Sequence, residues 1–320
     1  MNDLSKGWYL INRLIKEPFE VKLEKTKKAI KDSIGNSKNP VVCWSGGKDS
    51  TVLLHMVRKE KPDIPVIFID TGVLFPETLD FVEQIEKEWG LNIQRGEPKI
   101  GEDFWSITNK YGWPVLGKFI STNVGRAVRT GNIRKQLNEK EKKLALNGIR
   151  LSCKCSYYIN LKPSICLEKK LESEFKFLGL RVLESRGRGK LWIDYGETYF
   201  VKHYFGRNKG VWKSSPLSLW TEEDILRYHK EEGLPHNSLY DKGYKRSGCW
   251  TCAMSWRYGQ LKRLREYDKN KFYGLLIGSN LGIILLHIKS LLNSDFREFS
   301  ISKNTVIELL KEDEKAFDNI

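Results

Sequence analysis

Ser45-Gly46-Gly47-Lys48-Asp49-Ser50 gathers the groups that a phosphate needs. Glycines let the backbone approach an anion without a side chain in the way. Successive N–H groups, and the N-terminus of a helix that follows, add partial positive charge. Ser45 and Ser50 supply hydroxyl donors and Lys48 a full charge. The loop is not a Walker A loop, because Lys48 alone separates Gly47 from Asp49.

The cysteines form a second chemical group. Cys249-Trp250-Thr251-Cys252 is a C-x-x-C, and Cys153-Lys154-Cys155 is a second close pair. Alone, a C-x-x-C can be a redox dithiol, half of a zinc site or two unlinked thiols. Two close pairs suggest metal or cluster ligands rather than disulfides. Cys43 and Cys166 sit in apolar sequence and are expected to be buried small hydrophobes. Arg181, Glu184 and Arg186 form a third group, at the end of an apolar run. Arginines there can fork onto phosphate or sulfate oxygens; as a plain surface cluster they would matter little. Gly187-Arg188-Gly189-Lys190 extends the basic run. His203, His229 and His236 are given no catalytic role, and His229 is expected to face solvent on a charged helix.

Such groups need a frame. The pattern predicts a helix over Glu20–Ile34, a strand at Val41–Trp44, a helix over Asp49–Lys59 and a strand at Pro65–Asp70. A helix over Glu77–Trp89, stopped at Gly90, leads to a strand starting in Leu91–Gln94. Strands that are continuous apolar runs and alternate with helices imply an α/β fold, a doubly wound and mostly parallel sheet. Asp70 then falls at the carboxyl edge of the sheet, where ligands bind in such folds. Ile120–Gly148 reads as helical, Phe177–Val182 as a core strand and Leu191–Tyr204 as hairpin-like. Thr221–Glu231 is predicted to be a helix, with Thr221 and Asp224 as a capping-box pair. Pro235–Ser255 is rich in loops, and 258–320 reads as mostly helical.

Forty per cent hydrophobic residues in 320 are too many for a disordered chain and enough for a sizeable core. Leu281–Leu286 is far too short to span a membrane, and the first residues lack a signal-peptide core, so a cytoplasmic protein with no membrane partner is expected. Net charge is +15, which favours polyanionic partners, although many lysines stand beside glutamates and read as solvated faces.

Five motifs in order carry a resemblance. The Ser45–Ser50 loop resembles the PP-loop of the adenine nucleotide alpha hydrolase-like superfamily. Ile69-Asp70-Thr71-Gly72-Val73-Leu74-Phe75-Pro76-Glu77-Thr78, Gly179-Leu180-Arg181-Val182-Leu183-Glu184-Ser185-Arg186 and Pro216-Leu217-Ser218-Leu219-Trp220-Thr221-Glu222-Glu223-Asp224-Ile225 resemble segments of the phosphoadenosine phosphosulfate (PAPS) reductase family. So does Leu234–Tyr244 followed by Gly248–Cys252. The resemblance spans roughly 38–256 and implies three regions: a helical lead-in at 1–37, a PP-loop PAPS-reductase-like domain at 38–256 and a helical region at 257–320.

The resemblance implies that ATP or an adenylyl sulfate binds Ser45, Gly46, Gly47 and Ser50, with room for magnesium. Phe68 and Ile69 would contact adenine; Asp70, Thr71 and Gly72 would shape the site; Arg181 and Glu184 would bind the ligand; Lys48, Asp49 and Arg186 would serve catalysis. Cys153, Cys155, Cys249 and Cys252 would hold a [4Fe–4S] cluster, with zinc as the rival. The C-x-x-C loop is expected to approach the nucleotide crevice. Two departures stand out. Lys154 separates cysteines that are adjacent in cluster-bearing sulfonucleotide reductases. Those reductases also attack the sulfate sulfur with a cysteine near their C-terminus, and residues 253–320 contain none. Sulfur transfer, as in PP-loop proteins that thiolate tRNA or place phosphorothioate in DNA, is therefore expected ahead of sulfonucleotide reduction. It would need a tRNA or DNA acceptor and a sulfur donor protein; reduction would need an electron donor. A non-catalytic component of a modification or defence complex is the alternative from another class.

Overall fold

Short apolar runs become the strands of a single sheet. A computed structural model describes residues 3–133, 137–202, 210–276, 279 and 281–292. Its elements in chain order are α1 (Asp3–Leu14), α2 (Phe19–Gly35), β1 (Pro40–Cys43), α3 (Lys48–Glu60), β2 (Val66–Ile69), α4 (Pro76–Trp89) and β3 (Ile93–Gly96). Then follow α5 (Phe104–Tyr111), α6 (Lys118–Thr130), α7 (Glu139–Leu146), α8 (Lys162–Lys170), β4 (Phe175–Leu178), α9 (Arg186–Tyr195), β5 (Thr198–Val201) and β6 (Val211–Ser214). The last helices are α10 (Glu222–Glu231), α11 (Gln260–Tyr267), α12 (Lys269–Leu276) and α13 (Leu281–Leu292).

The chain divides into two compact units. The first is drawn from Met1–Asp70, Phe75–Glu97 and Leu161–Ser238, and the second from Thr71–Leu74, Pro98–Asn160 and Leu239–Ile320.

The first unit holds the α/β fold. Its six strands run in the order β3-β2-β1-β4-β6-β5. All neighbours pair in parallel except β5 and β6, which form an antiparallel edge. Val41, Val42, Val66, Ile67 and Phe177 are buried, as strands covered on both faces must be. Helix α3 packs on β1 and β4, and α8 packs on β2 and β3. From β1 the chain moves to β2 on one side; β4 lies on the other. The β1/β4 boundary is thus a topological switch point, and the crevice outside its carboxyl ends is where such sheets bind ligands.

Three expectations about this unit need correcting. The strand expected at Phe177–Val182 is Phe175–Leu178. Its second residue, Lys176, is buried and donates to Glu168 Oε1 at 2.7 Å, so a charged residue occupies a core strand. Leu191–Tyr204 does not form a hairpin, because Arg186–Tyr195 is helix α9. Ser185 caps that helix by accepting from the Arg188 N–H. Gly189 lets it lie against Trp8, where a Cβ would come within 2.1 Å of the indole. Cys166 is exposed and Cys43 only partly buried, so neither is a fully buried hydrophobe. Thr221 and Asp224 do form the expected capping box, and Asp224 is also paired with buried Lys22.

The described regular elements of the second unit are helices, with one parallel bridge between Trp113 and Leu151 and long connecting loops. Ile120–Gly148 is not one helical stretch but α6 and α7, the latter started by an Asn138–Glu141 capping box. Helix α5 was absent from the sequence reading; Asp103 caps it by accepting from the Trp105 and Ser106 N–H groups. The expected helices beyond 258 are α11 to α13, and 293–320 lie outside the described residues. No described helix is long and apolar enough to cross a membrane.

Candidate functional site

Trp44, the residue after β1, is buried in the core and donates from its indole to Thr51 Oγ1 at 3.0 Å. The next residues turn into α3. Gly46 has φ of +67°, a left-handed conformation that glycine adopts without strain. A Cβ there would also sit 3.1 Å from Thr78 Cγ2. Gly47 is the N-cap of α3 and offers no side chain to its free N–H groups. A helix N-terminus left open in this way directs N–H groups and the positive end of its dipole outward, a geometry that suits an anion. Ser50 Oγ lies 3.0 Å from Ser45 Oγ and donates to the Gly47 carbonyl at 2.9 Å, which holds the loop closed from within. Gly179, just past β4, allows close approach: a Cβ would fall 2.8 Å from Ser50 Cα.

The expected Arg181 reaches this loop. Its Nε donates to Asp49 Oδ1, and both side chains are largely buried. Glu184 accepts from the Arg181 N–H at 3.2 Å and pairs with Arg188. Arg186 starts α9 and is exposed. Phe68 is buried against Trp44, so its ring belongs to the core and its backbone to the sheet edge. Ile69 and Asp70 are partly buried at that edge, and the Asp70 N–H donates to the Gly96 carbonyl at 2.9 Å.

Three residues at this loop were missed or misread. Lys48 Nζ lies 3.1 Å from Glu222 Oε1, at the start of α10. His229, from the same helix, does not face solvent: its Nε2 lies 3.0 Å from the Lys48 carbonyl oxygen. Asn237, fully buried, donates to Thr78 Oγ1 at 3.0 Å and to the Gly46 carbonyl at 3.5 Å. The charged neighbours of His229 hid its role, since a helix through Glu222–Glu231 reads as a solvated face. Asn237 stands in the Leu234–Tyr244 segment, where its polar type within an apolar frame was a usable signal.

Cys153, Cys155, Cys249 and Cys252 lie in the second unit. Cys249 and Cys252 close a tight turn, with Cys252 N–H donating to Cys249 O at 3.1 Å. Gln260 clamps that turn, donating to the carbonyls of Cys249 at 2.9 Å and Trp250 at 3.1 Å. Thr71 Oγ1 lies 3.3 Å from Cys249 Sγ, so Thr71 engages a thiol of this unit; Gly72, beside it, is exposed. Burial pushes the Cys155 thiol up to about 12, and the charges of Cys252, Cys153 and Cys249 push the same way. Burial likewise raises Cys153, against hydrogen bonding from Ser121.

The Phosphoadenosine phosphosulfate reductase domain family matches residues 39–255. The chain belongs to the PAPS reductase family. A PAPS reductase of Xanthomonas axonopodis is 28% identical over 239 residues, covering 74% of this chain and 78% of that protein. An uncharacterized protein of Methanocaldococcus jannaschii is 31% identical over 248 residues, covering 75% of this chain, and the chain spans only 42% of its length. A crystal structure of PAPS reductase from Candida auris aligns with a TM-score of 0.47 at 20% identity, over 76% of this chain and 94% of that one.

In this member of the PAPS reductase family, Cys153, Cys155, Cys249 and Cys252 are all free of disulfides. They feel one another's charge. Mutual repulsion among four thiolates is what a cationic metal centre neutralises, so the donor chemistry fits a cluster or zinc. Among the described residues no three His, Cys, Asp or Glu side chains converge as a metal site.

Proposed function

We propose that this PAPS-reductase-family chain binds ATP at Ser45–Ser50 and uses it to activate an acceptor for sulfur transfer. The open N-terminus of α3, with Lys48 beside it at the β1/β4 switch point, is the observation that carries this reading. An acceptor oxygen would attack the α-phosphorus, the bond to the β-phosphate would break, and diphosphate would leave on the loop. Sulfide would then attack the activated acceptor atom, forming its bond to sulfur as the bond to AMP breaks and AMP leaves. Lys48, Ser45, Ser50 and the N–H groups at Gly46 and Gly47 would hold the leaving diphosphate, with magnesium accompanying ATP. Asp49 would orient Arg181 toward the phosphates, Glu184 would support Arg181, and Arg186 would add charge from α9. The backbone of Phe68 and Ile69, with Asp70, would meet the adenosine. A net charge of +15, which suits a polyanionic acceptor, favours transfer over reduction. Cys153, Cys155, Cys249 and Cys252 would hold a [4Fe–4S] cluster or zinc. When bound, a cluster would supply electron transfer, and zinc a structural cross-link.

Kinship with named PAPS reductases favours a second reading, reduction of an adenylyl sulfate. The two separate in a single assay. ATP, sulfide and a pool of tRNA or DNA should yield AMP and diphosphate, and Lys48→Ala should abolish both. Release of sulfite from PAPS with thioredoxin, and no ATP cleavage, would replace sulfur transfer by reduction.

A further inference from the structure

Helix α6 shows water an unusual stripe. Phe119, Thr122, Arg126 and Arg129 recur at three- and four-residue intervals, which places them on one face, and all are exposed. Phe119 is 75% exposed, a large ring standing among cationic and hydroxyl side chains. Lys118, next to it, is also exposed. Among the described residues, Lys118, Arg126 and Arg129 form no ion pair, unlike Lys27, Lys142 and Lys190 on other helices. Lys118, Phe119, Thr122, Asn123, Arg126 and Leu137 line a cavity of about 630 Å³.

The same helix is fastened to the first cysteine pair. A Cβ on Gly125 would lie 1.9 Å from the Leu151 carbonyl oxygen, so the α6 backbone rests directly on the 151–152 backbone. Cys153 Sγ donates to the Lys118 carbonyl at 3.4 Å. The stripe therefore begins at a cysteine.

We propose that this face of α6 binds single-stranded nucleic acid and brings it to the neighbourhood of Cys153. Calling that strand the sulfur acceptor rests on the sulfur-transfer reading; the binding does not. Three unpaired cations suit a phosphate backbone, and an exposed ring suits the face of a base, which is sequence-tolerant stacking. Thr122 and Asn123 can add hydrogen bonds to sugar or base edges. A duplex fits worse, because its bases are already stacked on one another and leave Phe119 no partner.

The test is fluorescence anisotropy on the full chain, without ATP, using labelled single-stranded RNA, single-stranded DNA and duplex DNA of about twelve nucleotides. Phe119→Ala should weaken single-strand binding about tenfold, with the salt dependence unchanged. Because Phe119 is so exposed, its truncation leaves the core alone, and a circular dichroism melt should match the unmodified protein. Lys118→Ala with Arg126→Ala should weaken binding and flatten the log–log salt slope by about 1.4, for two lost phosphate contacts. The charge-matched pair Arg13→Ala with Lys31→Ala, on exposed positions of α1 and α2, should change nothing. Relative affinity for RNA and DNA then names the source of the strand. Equal loss in the Arg13/Lys31 variant, unchanged binding by Phe119→Ala, equal affinity for duplex, or preference for an acidic peptide competitor each overturns the inference. Strand binding without ATP cleavage keeps it and removes the sulfur-transfer reading; ATP cleavage without strand binding does the reverse.

Discussion

His229 Nε2 lies 3.0 Å from the carbonyl oxygen of Lys48. A carbonyl only accepts, so the ring donates from Nε2, and its Nδ1 is buried with no partner among the described residues. Burial holds this histidine below its ordinary pKa; Lys48 and Leu234 carbonyls and the charge of Asp49 oppose that, and His236 adds to it. His229 is thus a neutral brace beneath the residue that should meet phosphate.

The brace should make the protein acid-sensitive. A histidine whose folded pKa is lowered binds its proton better when unfolded, so its contribution is present above the ordinary histidine pKa of about 6.5 and is lost as pH falls below it. The melting temperature should drop between about pH 7 and pH 5.5. His229→Gln keeps a donor and removes the titration, so it should flatten that drop. His55, lowered first by burial and next by Lys59, should account for what remains. An unchanged profile in His229→Gln would assign the acid response elsewhere.

Arg181 and Asp49 should behave as one unit. Arg181 is buried, and removing Asp49 strands its charge. Asp49→Ala should therefore cost about 3 kcal/mol of stability in urea unfolding as well as nucleotide affinity. Arg181→Met with Asp49→Ala should cost clearly less than the two single changes summed. Simple additivity would show that the two do not interact.

Gly125 should tolerate no side chain. With the Leu151 carbonyl 1.9 Å from a built Cβ, Gly125→Ala must push α6 away from Ser152 and Cys153. A loss of about 1–3 kcal/mol is expected in denaturant unfolding. Wild-type stability would mean that α6 and the 151–152 backbone lie farther apart.

Metal content discriminates the roles of the cysteines. Protein isolated without oxygen should carry about four iron and four acid-labile sulfide per chain, with a broad visible absorption that Cys155→Ser abolishes. About one zinc and no sulfide would make the four cysteines a structural site.

Much of the site was legible because its parts are local. The Ser45–Ser50 loop lies between a strand and a helix that are contiguous in sequence, so its place at the strand–helix turn, with Gly46, Lys48 and Asp49, is readable from local pattern alone. Thr221 and Asp224 announced their helix for the same reason: a capping box closes within three residues. Lys176 escaped because a buried charge looks like an interruption of a strand until its partner Glu168 is seen. Helix α9 escaped because its docking depends on Trp8, far away in the chain.

The amino-acid sequence by itself determined the α/β class, the Ser45–Ser50 turn between a strand and a helix, and the spacing of the two cysteine pairs. Each rests on spacing within a few residues, where backbone geometry follows directly from residue type. Only the tertiary structure decided which distant groups serve that loop. Asn237 against Gly46, Glu222 and His229 on Lys48, and Arg181 on Asp49 are long-range choices. They follow from how β4 and α10 pack against β1 and α3, and such packing depends on the burial of the whole core rather than on any local pattern.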